Sequence, residues 1–282
     1  MGAATRVLTP SFLLLTLCLL PLFTLEHVQH LLSSLLFSNY LSTLIPPSTV
    51  GDKYETKTYT LSTNPLVIYI TNFITLLEAT QLVALSNDNF HPSPLYSDDG
   101  TLSHDSSYRS SLTATLPLSP IVKAVEARAK SFSFYNPNQE EKKIKPLVVQ
   151  KYGLGKQYKD HYDWFLPHPS LTGNIESTFF VYISANCTGG GTNFPRLRLP
   201  SSHPPSTSAH IIPGGLENEW CEFIDCDRPY TDGVTFKPIT GNAIFWENVD
   251  ENGDGMVSTL HAGLPVTSGE KMGLNVWSWR DY

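Results

Sequence analysis

The sixteen residues Gln150–Phe165, "QKYGLGKQYKDHYDWF", decide how the chain is read. Two short runs of β-forming residues, "KPLVVQKYG" and "QYKDHYDWF", are separated by glycine and read as strands. Side chains at positions i and i+2 of a strand share a face, so His161 and Asp163 converge. One imidazole and one carboxylate can bind a divalent ion. Taken alone, His-x-Asp is more often a solvated strand end. Its meaning depends on a third ligand and on room for a substrate.

The flanking sequence sets the fold class. Upstream, "PLVIYITNF" (65–73) reads as a strand, and "ITLLEATQLVALSND" (74–88) and "SPIVKAVEARAKSF" (119–132) read as helices. Ser119 is positioned as an N-cap of the second, with Pro120 in its first turn. Downstream of about residue 145 the pattern is strand after strand: "STFFVYIS", "GVTFKPI", "NAIFWEN" and "GLNVWSWRDY". Helices first and many strands later predict an α+β fold, with helices covering one sheet of a β-sandwich or barrel. Residues 195–230 lack periodicity and read as an inserted loop. No internal repeat is present.

The composition bounds the rest. Of 282 residues, 41% are hydrophobic and 16% charged, which describes a globular chain. A net charge of −7 without a basic cluster argues against nucleic-acid binding. Val7–Leu25, "VLTPSFLLLTLCLLPLFTL", carries no charge over 19 residues, about enough to span a bilayer as a helix. Residues 1–25 are therefore an uncleaved anchor or a cleaved signal peptide, and 26–60, rich in Ser, Thr and Pro, form a stem. The domain proper is expected over 61–282, in the secretory lumen. There Cys221 and Cys226 are a candidate disulfide, and "NCT" makes Asn186 a candidate glycosylation site.

A third ligand is available in "STLHAGLPVTSGEKMGLNVW". His261 ends a polar loop and precedes a turn and a strand. Two histidines and a carboxylate on one face of iron leave open positions for a bidentate co-substrate and dioxygen. A 2-oxo acid would need a buried cation for its distal carboxylate, and Lys271 lies ten residues after His261. If the chain turns at "TSG" and returns, its ammonium enters the same barrel. A buried lysine is costly without an anion and acceptable with one.

These segments together resemble the prolyl 4-hydroxylase alpha-subunit family. "QKYGLGKQYKDHYDWF" is similar to its Y-x-x-G-x-x-Y-x-x-H-x-D-x-F pattern, and "FFVYISANCTGGGTNFP" to its Y-L-N…G-G-x-T-x-F-P segment. "GVTFKPITGNAIFWEN" and "STLHAGLPVTSGEKMGLNVW" resemble its next two motifs, and "SYRSS" its R-[ST]-S element. The match runs from about 65 to 280 with the motifs in order. The resemblance implies a double-stranded β-helix (jelly roll) dioxygenase, procollagen-proline 4-dioxygenase-like, using Fe(II), 2-oxoglutarate and O2, with L-ascorbate keeping the iron reduced. It puts iron on His161, Asp163 and His261 and 2-oxoglutarate on Lys271, Tyr152 and Thr192. Arg109, Ser111 and Trp277 would face the substrate. The implied substrate is a prolyl residue of a peptide or protein, with the enzyme anchored in the endoplasmic reticulum membrane or secreted.

Two departures bear on the substrate. "CTGGGT" lacks the acidic residue that many members carry between the glycines and the threonine, and the 195–230 insertion is long. Rival readings are hydroxylation of a small molecule or free amino acid on the same scaffold, and a non-catalytic binding protein retaining the fold. A zinc hydrolase would need a general base that the sequence does not offer.

Overall fold

The computed structural model describes residues 55–97, 101–132, 143–199 and 220–282, all within the unit Tyr54–Tyr282. The apolar run at 7–25 and most of the expected stem lie outside the described residues. Among the described residues, no helix is long and apolar enough to cross a membrane.

Strands β1 (Lys57–Thr63) and β2 (Leu66–Thr71) form an antiparallel hairpin. The domain thus starts a few residues before the expected boundary, because the end of the stem segment pairs with "LVIYIT". Helix α1 (Leu76–Ser86) follows, closed by a capping box in which Thr75 and Glu78 satisfy each other's backbone N–H. Short strands β3 (His91–Pro92), β4 (Leu95–Tyr96), β5 (Leu102–Ser103) and β6 (Leu112–Thr115) lead to helix α2 (Pro120–Phe132). The Ser119 hydroxyl accepts from Val122 N at its N-terminus, as the sequence predicts. Strands then dominate: β7 (Lys143–Ile144), β8 (Val148–Tyr152), β9 (Tyr158–His161), β10 (Gly173–Gly189), β11 (Thr192–Phe194) and β12 (Val234–Phe236). The last three are β13 (Ala243–Glu247), β14 (His261–Gly263) and β15 (Val266–Asp281).

The larger sheet has the order β1-β2-β13-β10-β15-β8-β6-β3, with β7 beside β15; the smaller has the order β12-β11-β14-β9. Strand alternation gives the larger sheet two faces. Ile68, Ile70, Phe179, Val181, Phe245 and Leu274 point to one face and pack under Leu82, Val122 and Val125 of the two helices. Val67, Tyr69, Phe180, Tyr182 and Trp246 point to the other and meet Phe194, Val234 and Phe236 of the smaller sheet. Each such side chain contributes roughly 1.5–3 kcal/mol on burial. The layers are therefore helix, sheet, sheet, consistent with a jelly roll.

Two expected details are corrected. The chain does not turn at Thr267–Gly269: the turn is Leu264–Pro265, and β15 already runs from Val266. The described flanks of the 195–230 insertion are not free loop. Leu197 and Phe223 are buried between the sheets, Phe223 stacks on Tyr69 at 4.6 Å, and Ile224 bridges to Phe236. Cys221 and Cys226 form a disulfide there, and Cys187 is a free cysteine. Residues 200–219 lie outside the described residues.

The helix layer yields a direct test. Leu82 is fully buried whereas Leu77, on the same helix, is 55% exposed. In urea unfolding, Leu82→Ala should lose about 2–5 kcal/mol, and Leu77→Ala should stay within about 0.5 kcal/mol.

Candidate active site

His161 and His261 occupy facing positions of the antiparallel β9–β14 pair, so sheet register alone brings the two imidazoles together. Their ring centroids are 4.2 Å apart. Asp163 arrives differently from its sequence expectation. Strand β9 ends at His161, and Asp163 lies in the bend that follows, so strand alternation does not place it. It is held instead from the larger sheet: Thr178 Oγ1 donates to Asp163 Oδ2 at 2.7 Å and Trp277 Nε1 donates to the same oxygen at 3.1 Å. Asp163 Oδ1 then lies 3.9 Å from His261 Nε2. One ligand atom from each of His161, Asp163 and His261 falls within 4.8 Å of the others.

The donor chemistry suits a divalent ion. His161 Nδ1 lies 2.8 Å from the Lys159 carbonyl and His261 Nδ1 lies 2.9 Å from that of Thr259. A carbonyl only accepts, so each Nδ1 carries the proton and each Nε2 presents a lone pair. Burial, and then the neighbouring His261, hold His161 well below the usual imidazole range, which keeps it neutral as a ligand must be.

The triad opens into a pocket lined by Gln150, Tyr152, Phe180, Thr192, Trp246 and Asn275, among others. The side chain of Lys271 is fully buried nearby, with Nζ 4.7 Å from the Tyr152 ring centroid and donating to the Gly190 carbonyl. Gly190 has φ 68°, a left-handed conformation that a glycine adopts without strain. No carboxylate among the described residues shifts the lysine's titration, and burial pushes it down from 10.5 to about 8. A desolvated cation of this kind is matched to an anionic ligand. Tyr152 donates to Gln150 Oε1, and Thr192 Oγ1 accepts from Tyr182 at 2.8 Å. Gly273 leaves room for the Phe180 ring, since a Cβ there would lie 2.1 Å from it.

Of the residues expected to face a substrate, none lines this pocket. Arg109 is buried, lies over the Tyr158 ring at 4.3 Å and donates to the Pro94 carbonyl at 2.8 Å. Tyr158 in turn stacks on His161 at 3.5 Å, so the arginine backs the metal site from behind. Ser111 is buried 2.8 Å from Ser93 Oγ. Trp277 is tied to Asp163. Asn186 is exposed on β10. Sequence reasoning missed Thr178, Gln150, Asn275 and Phe180. The available signal was parity: Thr178 and Phe180 alternate with the helix-facing Phe179 and Val181, as Asn275 does with Leu274 and Val276.

Comparison with known proteins agrees with this geometry. Residues 147–279 match the 2OG-Fe(II) oxygenase superfamily. The chain is similar to prolyl 4-hydroxylase 2 of Arabidopsis thaliana, 26% identical over 240 residues that cover 84% of this chain and 72% of that protein. Prolyl 4-hydroxylase 13 of the same organism is 28% identical over 77% of this chain and 72% of its own length. In fold, the chain is similar to the viral collagen prolyl hydroxylase of Paramecium Bursaria Chlorella virus-1, solved with 2OG. The TM-score is 0.53 at 20% identity, covering 76% of this chain and 95% of that one. The stretch that matches the 2OG-Fe(II) oxygenase superfamily, residues 147–279, contains His161, Asp163, His261 and Lys271, so the candidate site lies wholly within the 2OG-Fe(II) oxygenase domain match.

Proposed function

We propose that the protein is a prolyl 4-hydroxylase acting on a peptide or protein. The observation that carries the reading is a fully buried lysine, without a carboxylate partner among the described residues, packed against Tyr152 and Phe180 of the pocket that holds a His-Asp-His cluster. The prolyl preference rests on the similarity to prolyl 4-hydroxylases.

His161 Nε2, His261 Nε2 and Asp163 Oδ1 would hold the iron, and the Lys271 ammonium would pair with the distal carboxylate of 2-oxoglutarate. Thr192 and Tyr152 offer hydroxyls on the pocket wall, to which Phe180 and Trp246 add apolar surface. When bound, iron and 2-oxoglutarate supply the oxidising power to place an oxygen atom from O2 into a C–H bond, the co-substrate leaving as succinate and CO2. The rest of the chain positions the substrate and excludes competing chemistry.

The setting we infer is the secretory lumen. It is supported by the apolar run at 7–25, the Cys221–Cys226 disulfide and the exposed sequon at Asn186. The apolar run would anchor the chain in the endoplasmic reticulum membrane, or be removed before secretion.

Three measurements test the reading. Supplied with Fe(II), ascorbate and 2-oxoglutarate, the protein should add one oxygen to prolines of a proline-rich peptide and form succinate in step. Turnover of free proline or another small molecule alone would instead support the small-molecule alternative, and no turnover of either would support a binding role. His161→Ala should abolish substrate-dependent succinate formation with an unchanged far-UV circular dichroism spectrum. Lys271→Met should raise the KM for 2-oxoglutarate at least about 30-fold, the cost of leaving a buried anion without its partner being about 2–5 kcal/mol.

The lysine also predicts a pH dependence. Its folded value lies below the usual 10.5, at about 8, and only the charged form attracts a carboxylate. Affinity for 2-oxoglutarate should therefore be full below about pH 8 and decline above it, by up to about tenfold per unit. Calorimetric titration across this range checks the sign.

A further inference from the structure

The larger sheet carries a chain of buried hydrogen bonds behind Asp163 whose direction is fixed at both ends. Thr178 on β10 is in register with Trp246 on β13 and with Trp277 on β15, so the three side chains line up across adjacent strands on the pocket face. Asn248 follows β13 directly. Trp246 Nε1 donates to Asn248 Oδ1 at 2.9 Å, Asn248 Nδ2 donates to Thr178 Oγ1 at 2.9 Å, and Thr178 Oγ1 donates to Asp163 Oδ2 at 2.7 Å. Trp277 Nε1 donates to the same carboxylate oxygen from the other side. Asn248 and Thr178 are fully buried and Trp246 nearly so.

The polarity of this chain follows from donor and acceptor chemistry. An indole N–H can only donate. Trp246 therefore fixes the orientation of the Asn248 amide, oxygen toward the indole and nitrogen toward Thr178. The threonine hydroxyl receives that N–H, so its single proton is left for Asp163. Two donors then converge on Oδ2, and Oδ1 is the oxygen that faces His261.

We propose that Thr178 and Asn248 are positioning residues for the metal site: they commit Asp163 to bind through Oδ1 alone. A carboxylate free to chelate with both oxygens would take a second coordination position, one that the co-substrate and dioxygen need. The relay thus preserves open positions on the ion, and it does so in the folded protein before any metal arrives. This inference rests on the reading of His161, Asp163 and His261 as the metal ligands.

Co(II) binding tests it without turnover, by titration calorimetry and by the visible d–d absorption that reports coordination number. Thr178→Val keeps the shape and removes the donor. It should weaken Co(II) binding by about 10–100-fold, the usual loss when an outer hydrogen-bond partner of a ligand is removed, and shift the d–d spectrum toward higher coordination. Thr178→Ser, which restores the hydroxyl, should bind within about threefold of the parent protein, well inside that loss. Asn248→Leu should move affinity and spectrum in the same direction as Thr178→Val, by less. Parent-like affinity and spectrum in Thr178→Val would overturn the proposal, as would equal losses in the valine and serine variants, which would mark a packing defect. A parent protein whose Co(II) binding is indifferent to His161→Ala would overturn the triad reading itself, a result distinct from either.

Discussion

The long antiparallel ladder between β10 and β15 is the constraint on which the site depends. It runs from the Gly173–Asp281 pair to Gly189–Val266, with three register shifts along the way. Parity along these two strands sorts the chemistry. Residues of one parity form the apolar surface under the helices. Those of the other, Thr178, Phe180 and Tyr182 on β10 with Lys271, Asn275 and Trp277 on β15, line or brace the pocket. A slip of one residue would exchange the two sets, putting lysine and asparagine under the helices and Phe179 and Leu274 into the pocket. The apolar burial against α1 and α2 therefore also fixes where the cation and the carboxylate props stand.

The same ladder carries a cost. An ammonium placed at zero exposure loses its hydration, and its depressed titration to about 8 records that loss. The Gly190 carbonyl and the face of Tyr152 compensate in part. An apolar residue of similar length would suit an unliganded core better. The domain holds instead a buried cation that no carboxylate among the described residues balances, so under the proposed function an anionic ligand would meet a penalty already paid in folding.

Much of this was legible in the sequence, and the misses share one cause. Helix positions, the β-rich second half, both histidines and Lys271 follow from periodicity, spacing and motif resemblance, all of which are local signals. Asp163 was placed correctly for the wrong reason. Its i+2 spacing suggested a strand face, yet the bend after His161 leaves it to be oriented by Thr178 and Trp277 from a different sheet. Arg109 was expected to face a substrate only through the resemblance of "SYRSS" to a family motif. Its burial over Tyr158 is a tertiary contact that no local pattern announces. Asn248 at the end of "FWEN" and Thr178 in "STFFVYIS" gave no sign of meeting, since 69 intervening residues separate them.

The two imidazoles show how little freedom remains once these contacts are in place. His261 is flanked by the Phe194 ring at 5.4 Å and the Trp246 ring at 4.8 Å, while His161 lies against Tyr158, itself backed by Arg109. Packing thus fixes the plane of each ring, and the carbonyls of Lys159 and Thr259 fix which nitrogen is protonated. With Asp163 held through Oδ2, each candidate ligand has its orientation set by neighbouring side chains and carbonyls. Trp246 serves twice, packing on His261 and starting the hydrogen bonds that end at Asp163. Sheet register, aromatic packing and donor polarity therefore converge on a single geometry, which is what preorganisation of a metal centre requires.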